Sequence, residues 1–105
     1  MTMAEYEAQH AALLDKLRSL AAASDWHGII EACSGSNHGT ITHLWALAMT
    51  AWYGPVGLAD GRFGADGRPD PAKCADVPDV FRRMDEASAK IRRMLGLPVA
   101  AAEAR

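Results

Sequence analysis

Ile41-Thr42-His43-Leu44-Trp45-Ala46-Leu47-Ala48-Met49-Thr50-Ala51-Trp52-Tyr53, followed at once by Gly54-Pro55, is the segment whose reading decides the fold. Its apolar side chains wrap most of a helical circumference, and only Thr42, His43, Ala46 and Thr50 make a narrow small-and-polar strip. A helix apolar nearly all round belongs in the middle of a domain, covered by neighbours on several sides. It is too short to cross a bilayer, which takes about 20 apolar residues. Gly54 accepts a left-handed cap and Pro55 cannot continue the helix, so the end is marked as clearly as the interior.

The neighbours such a helix needs are encoded upstream and downstream. Thr2-x-x-Glu5 is a capping box that opens a first helix. Met3, Tyr6, His10, Leu13, Leu14, Leu17, Leu20 and Ala21 then recur at three- and four-residue steps as one apolar stripe. Ser24 or Asp25 caps a short second helix, on which Trp26, Ile29, Ile30 and Cys33 share a face. Ser34-Gly35-Ser36-Asn37-His38-Gly39 is a turn by composition, and Thr40 is placed to cap the central helix. A fourth helix begins near Asp76, with Pro78 in its first turn. Its inner face carries Val77, Val80, Phe81, Met84, Ala87, Ser88, Ile91, Met94 and Leu95, and Gly96-Leu97-Pro98 ends it.

The expectation is therefore an all-α chain. Four helices, at about residues 3–23, 25–33, 41–53 and 77–95, form a compact bundle or an orthogonal array. Residues 1–96 make one helical domain, and 97–105 a flexible alanine-rich tail. Between the third and fourth helices lies a Gly-, Pro- and Asp-dense loop, 54–76, in which Ala-Asp-Gly-Arg occurs twice, at 59–62 and 65–68. Asp60-Gly61 suits the type I′ turn of a tiny β-hairpin. A loop of this length in a small domain is commonly a functional one.

Composition excludes more than it selects. A chain of 105 residues that is 50% hydrophobic builds a core without staples. A net charge of −2 gives no long-range field for a nucleic acid or an anionic membrane. Cys33 and Cys74 are too few for a disulfide framework, and neither sits in a Cys-x-x-Cys pair. Met1-Thr2-Met3-Ala4-Glu5 lacks the basic and apolar regions of a secretory leader, which makes the cytoplasm the default compartment.

No catalytic or cofactor signature is present, so the expectation is a non-enzymatic protein. The leading reading is a protein–protein interaction module: a small adaptor, inhibitor or assembly factor, of the kind phages and mobile elements carry. It would use the loop after the central helix. Arg62, Phe63 and Arg68 in that loop, with Trp52 and Tyr53 at the helix end, are the candidate partner-binding residues, because aromatic side chains and arginine dominate interface hot spots. A second reading is a metal or small-molecule site formed by Cys33, His38 and His43 at the turn before the central helix, although the spacing fits no zinc pattern. A third gives nucleic-acid contact to the fourth helix through Arg82, Arg83, Lys90, Arg92 and Arg93. Against it, Asp79–Arg83, Arg82–Glu86 and Glu86–Lys90 are opposite charges four residues apart, which describes a solvated face. His10 in an apolar stripe, together with the wide apolar central helix, also suits a homodimer.

Overall fold

The computed structural model describes residues 1–99; the last six positions of the expected tail lie outside them. Four α-helices follow one another: α1 (Met3–Ala22), α2 (Trp26–Cys33), α3 (Gly39–Tyr53) and α4 (Asp79–Met94). The long connection after α3 holds two single 3-10 turns, Asp60–Arg62 and Pro71–Lys73. The only β pairing among the described residues is one isolated antiparallel bridge, Phe63 with Pro69. The chain is all-α.

Local chemistry accounts for the boundaries. The Thr2 hydroxyl accepts the Glu5 amide at 3.1 Å and starts α1. Asp25 accepts the Gly28 amide at 2.9 Å and starts α2. The start of α3 falls two residues earlier than expected, at Gly39 with His38 as its cap, so Thr40 sits inside the helix. The preceding turn is tied by Ser36, whose hydroxyl accepts the His38 amide and whose carbonyl accepts the Thr42 hydroxyl, which frees Thr40 from capping. At the far end of α4, Gly96 takes φ +73°. The Leu97 amide donates to the Arg92 carbonyl and the Gly96 amide to that of Arg93. This is a Schellman cap, and Leu97, expected to belong to the tail, packs against the core behind it.

The α1–α2 corner uses the same cap with a less suited residue. Ser24 sits at φ +55°, the one non-glycine residue there among those described. Asp25 and Ser24 amides close the two cap bonds on Leu20 and Ala21. The Ser24 hydroxyl accepts a hydrogen bond from the Arg92 guanidinium, which also lies 4.9 Å over the Trp26 ring. Arg92 is buried at 8% exposure, so this arginine binds α4 to the α1–α2 corner rather than facing solvent.

The core has α3 at its centre. Ile41, Leu44, Ala48 and Ala51 of α3 meet Trp26, Ile29 and Cys33 of α2 on one side, and Ala87 and Ile91 of α4 with its C-cap Leu95 on another. Leu17 and Ala21 of α1 complete it. The first two residues of the expected α1 stripe are not part of this core: Met3 and Tyr6 are 72% and 46% exposed. Only from His10 onward does α1 reach its neighbours, and the molecule extends 52 Å along its long axis against 28 and 20 Å across.

The tiny hairpin does not form where it was expected. Asp60-Gly61 lies in a 3-10 turn, and the bridge instead closes around the second Ala-Asp-Gly-Arg, where Gly67 takes φ +75°. The two identical tetrapeptides thus fold differently, because the Asp66 carboxylate accepts the Arg68 amide and sets up a local turn in the second copy.

Gly54 joins the end of α3 to this loop at φ +86°, and a Cβ built there would lie 2.8 Å from the Pro69 ring. Gly57 has φ +92° but open space around it. Gly54→Ala is therefore expected to cost about 2–3 kcal/mol, backbone strain plus a clash, and Gly57→Ala only about 1 kcal/mol, strain alone. Urea denaturation of the two variants beside the parent protein measures the difference.

Candidate functional site

The loop expected to meet a partner is tied down by its own arginines. Arg68 lays its guanidinium 4.0 Å over the Trp52 ring. It also donates to the main-chain carbonyls of Trp52 and Ala51, at 2.9 and 3.5 Å, at the end of α3 where helix carbonyls lack partners. The His27 imidazole covers the same indole at 5.5 Å, and His27 Nδ1 pairs with Glu31 at 2.8 Å. Trp52 is thus held between α2 and the loop.

Arg62 does comparable work at the loop's other end. It forms a two-pronged pair with Asp76 and donates to the Lys73 carbonyl. The hydrogen bond from Arg62 holds the Asp76 carboxyl below the usual carboxylate range, and Asp76 in turn raises Arg62. Lys73 Nζ donates to the Phe63 carbonyl and the buried Cys74 thiol to that of Arg62. A free loop would show few such ties.

Of the five residues expected at a partner surface, Arg68 and Trp52 pair with each other inside the fold and two others share an open surface. Tyr53 and Phe63 line one groove of about 410 Å³ between α3 and the loop; Arg62, Arg68 and Trp52 do not line it. Its α3 wall is Trp45, Met49 and Tyr53, one helical turn apart, with the small Ala46 and Thr50 beside them. Its loop wall is Pro55, Val56, Leu58 and Phe63, with Asp60 the one charged residue in the lining. Val56 at the rim is 100% exposed. Sequence reading passed over Trp45, Met49 and Val56; the spacing of Trp45, Met49 and Tyr53 at i, i+4 and i+8 was the signal available for the first two.

Cys33, His38 and His43 do not converge. Cys33 is a core residue at 2% exposure, its thiol pushed up to about 11 by burial, whereas His43 is exposed on α3. Among the described residues no three His, Cys, Asp or Glu side chains gather as a metal-holding group. On α4, Arg82 pairs with both Asp79 and Glu86, and Arg92 is buried, leaving Arg83, Lys90 and Arg93 exposed. No helix among the described residues is long and apolar enough to cross a membrane. Compared with protein-family models, curated protein sequences and solved structures, the chain matches none.

The Cys33 thiol gives a pH prediction. Its folded value of about 11 lies above the ordinary 9.0, so folding favours the neutral thiol. The stabilisation is complete below pH 9 and is lost as pH rises toward 11, by about 2.7 kcal/mol in all, of which about 2 kcal/mol is gone by pH 10.5. Urea midpoints of the parent and Cys33→Ala at pH 8 and pH 10.5 should differ in their alkaline drop by that amount, the parent falling further. The folded parent should also resist alkylation of Cys33 at pH 8 and react once unfolded.

Proposed function

We propose that this chain is a non-enzymatic protein–protein interaction module that receives an apolar segment of another protein in the groove between α3 and the loop that follows it. The observation that carries the reading is the convergence of Trp45, Met49, Tyr53, Leu58 and Phe63 on one open, mainly apolar groove with a fully exposed Val56 at its rim. Exposed apolar surface of this kind, walled by rigid aromatic side chains, is characteristic of contact sites. The one acid in the lining, Asp60, favours a partner segment with a base at its edge.

The internal ties of Arg62 and Arg68 support the same reading in a revised form. These residues shape the groove's wall instead of touching the partner, and the contacts pass to the aromatic and aliphatic side chains. A small adaptor, inhibitor or assembly factor works by such contact.

Val56→Asp and Tyr53→Ala test the proposal, with Lys90→Glu on the exposed face of α4 as the control. Affinity capture from the native host is run with all three and the parent, and captured species are quantified by mass spectrometry. A true partner falls at least tenfold with both groove variants and stays level with the control. If every species held by the parent persists undiminished on the folded groove variants, the groove is not the binding surface.

A further inference from the structure

We propose a divalent transition-metal site formed by His10 of α1 and His38 at the start of α3, suited to Ni(II) or Cu(II). The two imidazoles come from elements far apart in sequence and meet with ring centres 4.5 Å apart and planes inclined by 36°. They line one pocket of about 190 Å³, together with Gln9, Ser36 and Asn37, whose side-chain oxygens are also ligand types. Within the chain, His38 Nδ1 is buried and has no hydrogen-bond partner, whereas buried polar atoms are ordinarily satisfied.

The separation selects the kind of ion. A late first-row ion holds an imidazole nitrogen at about 2.0–2.1 Å, which puts the ring centre about 3.2 Å from the metal. Two such rings subtending a right angle at the ion have centres about 4.5 Å apart, and at the tetrahedral angle about 5.2 Å. The observed spacing equals the first value. Adjacent positions of a square-planar or octahedral ion, the geometries of Cu(II) and Ni(II), fit it better than a tetrahedral zinc does. Gln9 and Asn37, which line the same pocket, and water are the oxygen donors available to complete the shell. Such an ion would fasten the projecting half of α1, with its exposed Met3 and Tyr6, to the N-terminus of α3. This proposal is independent of the groove.

Isothermal titration of the full chain with Ni(II) in a non-coordinating buffer is the test. The expected result is saturable one-to-one binding, weakened at least tenfold by His10→Ala and by His38→Ala, and unchanged within twofold by His27→Ala and His43→Ala. Circular dichroism checks that each variant keeps its helices; should His38→Ala lose them, His10→Ala alone decides. Paramagnetic broadening by Ni(II) should erase the imidazole signals of His10 and His38 before those of the other two histidines. Absence of stoichiometric binding, full binding by folded His10→Ala, or first broadening at His27 or His43 overturns the site and leaves the two rings as a simple stack.

Discussion

Everything in this molecule is arranged around the need to keep water off α3. A helix with Ile41, Leu44, Ala48 and Ala51 on its buried side and Trp45, Leu47, Met49 and Trp52 around the rest exposes a large apolar area if left alone. Removing apolar surface from water yields roughly 25 cal/mol per Å², enough to organise the rest of the chain about it. α2 covers one side of α3 and α4 another, and α1 reaches the same core only with its second half. The loop then supplies a third cover, over Trp52 and Ala51, through Arg68.

That third cover explains why so polar a segment, rich in glycine and aspartate, is ordered. The loop has no core of its own and no strand pairing beyond one bridge. It is held instead by cations placed on acceptors that folding has already fixed: the last carbonyls of α3 for Arg68, and Asp76 and the Lys73 carbonyl for Arg62. Stacking on Trp52 adds a cation–π contribution, and the flat guanidinium satisfies ring and carbonyls together in a way a lysine cannot. Ser24 shows the same economy elsewhere. Its left-handed backbone is costly for a non-glycine residue, yet its hydroxyl is the acceptor for buried Arg92.

These dependencies mark the line between what the sequence discloses and what it does not. Caps and periodicity are local, so Thr2, Asp25, Gly54 and Gly96 mark helix ends correctly, and Val80, Met84, Ala87 and Ile91 identify the buried face of α4. Contacts between distant residues leave no such trace. Nothing in the spacing around Arg68 says that its guanidinium will lie on Trp52, nor does the basic pattern of α4 single out Arg92 as buried beside Trp26. The α1 stripe is the converse case. Met3 and Tyr6 satisfy the period as well as Leu17 does, but no described element buries them. The groove was half legible: Tyr53 and Phe63 stand out as aromatics, while its walls depend on where two arginines turn.

The inward turn of those arginines bears directly on how the groove can act. A loop anchored by one ion pair, one cation–π stack and main-chain bonds has already lost the conformational entropy that a mobile loop would lose on meeting a partner. Phe63 and Leu58 are therefore presented with their backbone fixed, and Tyr53 and Met49 stand on a helix that the core holds rigid. For the partner proposed above, interaction energy would go into association instead of into ordering the loop. Arg68 and Arg62 make these ties at Trp52 and Asp76, outside the groove lining, in which the small side chains of Ala46 and Thr50 lie beside the aromatic wall. Charge spent inside the fold is what leaves an apolar groove outside it.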